Sequence, residues 1–208
     1  MIFYNKNSNW KKKIEQFIVK KHHKKKIDII LTGGKSVKNF YKYFKNKQFL
    51  MNYNVNIFLS DERITSNKKY LNSELIKKYF LKKKNVKIFL PMISNVKWKK
   101  YKTIKSYNDL IPKKIDFSIL SLGSDGHIAS IFKKDLIEKN IRKIIFTKST
   151  KAPYRRISIS PEVIKNIKNN IILVFGNRKI KLLKKIIADN SSYPCKIIDN
   201  PNWFCIRT

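Results

Sequence analysis

Three short stretches carry the residue types that could do chemistry. Asp125-Gly126-His127 places a carboxyl and an imidazole two residues apart. A histidine titrates near ~6.5, so it can take and return a proton at neutral pH, and a neighbouring acid can orient or bias it. Asp61-Glu62-Arg63 gathers three charges at the end of an apolar run, where they are costly unless paired, hydrated or used. Gly33-Gly34, ahead of Lys35-Ser36, lets the backbone turn sharply and aim N–H groups at an anion, helped by a helix N-terminus. Each has a plain structural alternative: a loop histidine, a surface loop, a tight turn. The Gly-Gly stretch is no Walker loop and lacks the third glycine of a dinucleotide fingerprint. The other histidines, His22 and His23, sit among lysines and are expected to be solvated.

These stretches need elements to position them. Ile115 to Leu122 is an apolar run long enough for a buried parallel strand. It stops at Gly123, and the chain turns apolar again after His127, which reads as strand, tight loop, helix. Ile27 to Leu31 leads into the Gly33-Gly34 turn, with Val37, Phe40, Tyr41 and Phe44 on one helical face beyond it. Val55 to Ser60 reads as a strand ending at Asp61, and Thr65 to Leu71 as a loop. Asn72 or Ser73 is the natural N-cap of a helix through Leu75, Ile76, Tyr79 and Phe80.

An amphipathic helix is expected over Ser8 to His23, a strand over Val86 to Leu90 and a helix over Val96 to Leu110. Further strands are expected over Ile141 to Thr147, Ile157 to Ile159 and Asn170 to Phe175. Ser160-Pro161-Glu162 opens a helix, and another runs through Lys179, Leu182, Leu183, Ile186 and Ile187 after Gly176. Strands alternating with helices predict an α/β fold, a mostly parallel sheet with helices on both faces, as a single domain over residues 1–208. Four loops then fall at the carboxyl ends of strands, where open sheets bind ligands: Gly33-Gly34, Asp61-Glu62-Arg63, Asp125-Gly126-His127, and Gly176 with Lys179.

Composition bounds the classes. A hydrophobic fraction of 42% with 12% aromatic residues is that of a folded chain. No apolar run of about eighteen residues suggests a transmembrane helix, and no signal peptide is expected, so the reading is cytoplasmic. Cys195 and Cys205 fit free thiols in a reducing compartment, and no His/Cys cluster has metal-ligand spacing. The formal charge of +35 could mark a nucleic-acid or anionic-membrane surface. The lysines are instead spread over nearly every segment among Asn and Ile, as compositional drift under AT-rich coding would leave them. Aromatics such as Phe40, Phe58 and Phe175 fall on core-facing positions rather than on a stacking platform.

Taken in order, these loops resemble the 6-phosphogluconolactonase family, within the larger sugar-phosphate isomerase and deaminase-like superfamily. LSLGSDGHIASIF is similar to that family's Leu-Gly-x-Gly-x-Asp-Gly-His-x-Ala-Ser-Leu-Phe loop, TGGKS to its Ser-Gly-Gly-Ser-Thr turn and SDER to its Asp-Glu-Arg strand end. Asn72 falls near the family's Ser-Asn helix start. YRRISIS resembles its Arg-hydrophobic-Thr element through Arg156, and VFGNRK its Gly-x-x-Lys turn through Lys179. The likeness covers roughly residues 10–205. Ser121 stands where the first loop glycine is usual, and Lys35 and Val37 replace the family's small polar residue and proline.

The resemblance implies a modified Rossmann-like fold of the sugar-phosphate isomerase/CoA-transferase-like superfamily. It implies hydrolysis of 6-phosphogluconolactone to 6-phosphogluconate in the oxidative pentose phosphate pathway, without metal or organic cofactor. His127 would activate water, with Asp125 beside it. Arg63, Arg156 and Lys179 would clamp the phosphate, Gly33 and Gly34 would offer N–H groups, and Asp61 would hold a sugar hydroxyl or orient Arg63; Asn72 joins the substrate-binding set. The expected partner is the phosphorylated sugar lactone, with no specific nucleic acid and no membrane, and a monomer is expected. Glucosamine-6-phosphate deaminases are also similar, but they continue Asp-Gly-His-Ile-Ala-Phe-Asn-Glu-Pro. Here Ala129-Ser130-Ile131-Phe132-Lys133 brings no acid, which favours the lactonase. A basic nucleic-acid binder is the rival of a different class.

Overall fold

The central apolar runs become strands because they are buried on both sides. In the computed structural model, which describes residues 1–46, 52–91, 107–132, 143–189 and 193–207, seven strands join in one sheet. They are β1 (Ile2–Asn5), β2 (Lys26–Leu31), β3 (Asn54–Leu59), β5 (Val86–Phe89), β6 (Ile115–Ser121), β9 (Ile167–Phe175) and β10 (Asn202–Arg207). Their order is β1-β10-β9-β6-β2-β3-β5, and every neighbouring pair is parallel.

Alternate residues feed two cores. Ile29, Leu31, Ile57, Ile119 and Leu173 pack under α1 (Trp10–Lys21), α2 (Lys38–Phe44) and α3 (Asn72–Phe80). Ile30, Phe58, Leu120 and Ile172 pack on the opposite face under α4 (Pro161–Lys165) and α5 (Asn177–Ala188). From β2 the chain runs outward to β3 and β5, then returns to place β6 on the other side of β2. Loops leaving β2 and β6 therefore diverge, and their carboxyl ends open the crevice where such sheets take ligands.

Several expectations need correction. The short strand β4 (Asp61–Arg63) leaves the parallel sheet after Ser60 and joins β7 (Ile144–Lys148) and β8 (Arg155–Ile159) in a separate antiparallel sheet, order β4-β8-β7. Ile144, Ile145, Ile157 and Ile159 bury this small sheet against the second core, so it covers that face where a helix would otherwise lie. After His127 there is no immediate helix: residues 128–131 close a bridged turn with Ala129 in the left-handed region, and 133–142 lie outside the described residues. Two strands go beyond the sequence reading. The first, β1, is a short edge strand whose Ile2 and Phe3 remain exposed; the second, β10, lies between β1 and β9. Of the helix expected over Val96 to Leu110, only residues 107–110 are described, and they are helical. His22 is not solvated. It is buried, its Nε2 2.9 Å from the Lys26 carbonyl and its ring against Tyr53 and Phe117.

Candidate active site

At the tip of β6 the chain closes a small ring. Gly123 N–H donates to the His127 carbonyl at 2.8 Å, and a Cβ at Gly123 would collide with the imidazole, so only glycine fits. Asp125 Oδ1 is bonded to His127 Nδ1 and also accepts from the His127 backbone N–H at 3.3 Å. This pairing with His127 holds the Asp125 carboxyl down at about 2, against the opposing push of burial. The Phe132 ring lies 5.0 Å from the imidazole, centroid to centroid, and walls one side of it. With Nδ1 engaged, Nε2 is the nitrogen left to move a proton.

Lys179, in the first turn of α5, reaches this ring from the next strand. Its Nζ donates to the Leu122 carbonyl at 2.6 Å. Burial lowers its pKa, and the Asp125 carboxylate opposes that shift, which puts ammonium and carboxylate in one field.

The Gly33-Gly34 turn joins the site from β2. A Cβ at Gly33 would collide with the Asn72 side chain, and Gly34 follows at φ +97°. Beneath the turn, buried Asp61 gathers hydrogen bonds from four side chains. Oδ1 accepts from Ser60 Oγ at 2.7 Å and Thr32 Oγ1 at 3.4 Å; Oδ2 accepts from Ser130 Oγ at 2.8 Å and Asn72 Nδ2 at 3.3 Å. Thr32 precedes the glycine turn and Ser130 follows His127, so one carboxylate ties the two loops together.

Asn72 and Ser73 do not cap α3. Glu62 does so from outside, with Oε1 accepting from Asn72 N–H and Oε2 from Ser73 N–H, each at 2.7 Å. Burial raises the Glu62 pKa while those N–H groups, with that of Arg63, pull it down.

Both arginines lie side by side. Arg63 on β4 stands directly opposite Arg156 on β8. Arg63 Nη1 donates to the Tyr70 carbonyl at 2.7 Å, yet its Nε and Arg156 Nη1 are buried without a hydrogen-bond partner. The Arg156 guanidinium is pushed down first by burial and then by Arg63, against Asp61 and Glu62. Among the described residues no salt bridge joins either guanidinium to a carboxylate, so the pair keeps donors suited to an oxyanion.

The expected site residues fall into groups. His127, Asp125 and Lys179 form one cluster, and Arg63 with Arg156 another. Asp61 links the loops around them: it accepts from Asn72, which packs against Gly33, and from Ser130, three residues after His127. Sequence reasoning missed Thr32, Ser130 and the capping role of Glu62; Ser130 lay within the quoted loop, but nothing local marks it as a partner of Asp61. Among the described residues, no three His, Cys, Asp or Glu side chains gather to hold a metal ion.

Relatives of known kind exist for both the sequence and the fold. A family model described as glucosamine-6-phosphate isomerases/6-phosphogluconolactonase matches residues 7–205. A 6-phosphogluconolactonase of Borreliella burgdorferi is 30% identical over 197 residues, covering 83% of this chain and 79% of its own. One of Helicobacter pylori is 28% identical over 186 residues, covering 86% and 79%. Among solved structures, a Thermotoga maritima 6-phosphogluconolactonase superposes with a TM-score of 0.84 at 21% identity, over 100% of this chain and 99% of that one. The Trypanosoma brucei enzyme gives 0.77 at 20% identity, over 94% and 89%.

Proposed function

The chain belongs to the glucosamine-6-phosphate isomerase/6-phosphogluconolactonase family, and from that premise we propose that it hydrolyses 6-phosphogluconolactone to 6-phosphogluconate in the oxidative pentose phosphate pathway. The observation that carries this reading is the Asp125–His127 pair at the tip of β6, with Lys179 bonded to the Leu122 carbonyl at the base of the same loop. Asp125 holds Nδ1, so Nε2 takes a proton from water as the water attacks the lactone carbonyl. The carbonyl oxygen becomes an oxyanion, the ester bond to the ring oxygen breaks, and His127 returns the proton to that oxygen. Arg63, Arg156 and Lys179 hold the phosphate, the arginines as donors in a fork and the lysine as a point charge.

The sister deamination has no comparable support. The residues after His127 supply Ser130 to Asp61 and Phe132 to the imidazole, and none through residue 132 is a carboxylate. Both cores close on the same parallel sheet, which supports one domain. No helix among the described residues is long and apolar enough to cross a membrane, and we take the enzyme as a cytoplasmic monomer.

The test is acid release from freshly generated 6-phosphogluconolactone in a pH-stat, corrected for spontaneous opening. His127→Ala is expected to lower kcat by at least ~10²-fold with an unchanged circular dichroism spectrum. Equal rates for variant and wild type would remove His127 from the chemistry.

A further inference from the structure

Three side chains stand abreast on the small sheet: Arg63 on β4 faces Arg156 on β8, and Arg156 faces Thr147 on β7. Residues directly opposite on antiparallel strands project from the same face. The row two residues along each strand, Asp61–Ser158–Ile145, shares that face and touches the histidine loop. Ser158 Oγ accepts from the Ser130 N–H at 3.2 Å, and Asp61 Oδ2 accepts from Ser130 Oγ. The Arg63–Arg156–Thr147 row thus lies on the side of the small sheet that carries the His127 loop.

Each member of the row has a buried polar atom without a hydrogen-bond partner: Arg63 Nε, Arg156 Nη1 and Thr147 Oγ1. Thr147 is 7% exposed and Arg156 6%, so bulk water does not solvate them in place of a partner. Native proteins rarely leave buried polar groups unpaired. Packing alone gives no reason for the hydroxyl, since valine has nearly the same shape and at least the same preference for a strand. Three such atoms on three neighbouring strands, two of them on guanidinium groups, share one chemistry: donors suited to an oxyanion.

We propose that Thr147 is a further substrate-binding residue, its hydroxyl donating to the phosphate that Arg63 and Arg156 hold. The assignment rests on the reading of the arginines given above and adds to it a neutral donor. Arg156 is paired with Arg63 on one side and with Thr147 on the other, so Thr147 is the neutral donor nearest in register to the guanidinium pair. A donor set spread over three strands favours a phosphate over a flat carboxylate, which one arginine fork would satisfy alone.

Thr147→Val keeps the shape and removes the donor. It is expected to raise KM for 6-phosphogluconolactone about tenfold with kcat within about twofold, the scale of a lost hydrogen bond to a charged group. Hydrolysis of unphosphorylated gluconolactone should not change, and Thr147→Ser should restore KM to within about twofold. Independently of catalysis, the inorganic phosphate concentration that half-maximally raises the melting temperature should increase about tenfold in Thr147→Val. Thr147→Ala carries the same expectations if the valine variant does not fold. An unchanged KM and phosphate midpoint, or an equal loss on the unphosphorylated lactone, would overturn the proposal. If the wild type fails to hydrolyse the lactone while Thr147→Val still weakens phosphate binding, the lactonase reading falls and the anion site stands.

Discussion

Lys179 combines a positioning bond with a charge whose strength depends on pH. Its ammonium donates to the Leu122 carbonyl at the base of the histidine loop and is half-buried there. Burial lowers the pKa of a lysine because it disfavours the charged form, and Asp125 only partly offsets the effect. The folded-state value lies below the ordinary one, so the positive charge is lost as pH rises through that depressed value. Affinity for a phosphorylated ligand should therefore weaken at a lower pH than an exposed lysine would require. Calorimetric titration of the product, 6-phosphogluconate, should show Kd rising in the wild type at a pH below that at which an ordinary lysine loses its charge. In Lys179→Arg, which keeps its charge there, the rise should disappear. A wild-type Kd flat to pH 10 would exclude Lys179 from the phosphate clamp.

At the scale of elements, α3 depends on a residue outside it. Glu62 closes the N-terminus of this helix through two N–H bonds of 2.7 Å, and its Oε1 also accepts from the Arg63 N–H at 2.7 Å. Removing it leaves buried donors at Asn72 and Ser73 unpaired, although the variant also escapes the cost of burying a carboxylate. Glu62→Ala should lower stability by about 2 kcal/mol, the upper range for a lost N-cap. That would appear as a lower urea midpoint at unchanged m-value. KM should rise as well, because α3 delivers Asn72 to Gly33 and Asp61. Glu62→Gln, which keeps one acceptor oxygen, should lose less.

This cap also shows what was legible in the sequence. Strands β2, β3, β6 and β9 read clearly because burial on two faces concentrates Ile, Leu, Val and Phe in short runs, and glycines after β2, β6 and β9 mark where those runs stop. Glu62 did not read as a cap, because it lies ten residues before the helix it closes and the fold alone brings it there. The small sheet was hidden for a similar reason. IRKIIFT and RISI plainly look like strands, but nothing local says which sheet they join, and Arg63 opposite Arg156 is a pairing across more than ninety residues. His22 was read from its lysine neighbours, whereas its burial is set by Tyr53, Phe117 and the Lys26 carbonyl.

Over the whole molecule the dominant feature is a formal charge of +35. Phe40 and Phe58 are buried in the cores, so those rings are not available as a platform for stacked bases. A charge spread over nearly every segment instead acts on small anions as a long-range field, and a doubly charged phosphate ester diffuses toward it faster than a neutral sugar does. Screening separates this field from the contacts inside the site, since the Debye length shrinks from about 30 Å at 0.01 M salt to about 3 Å at 1 M. Over that range kcat/KM for 6-phosphogluconolactone should fall about tenfold, while the value for unphosphorylated gluconolactone changes by less than about twofold. Equal salt dependence for the two substrates would show that the excess lysine contributes nothing to substrate capture. Any binding to a DNA duplex should decline steeply over the same range, as it does where phosphate contacts and counterion release supply all the affinity. Tight binding that persists near physiological salt would show that part of the surface recognises nucleic acid in its own right.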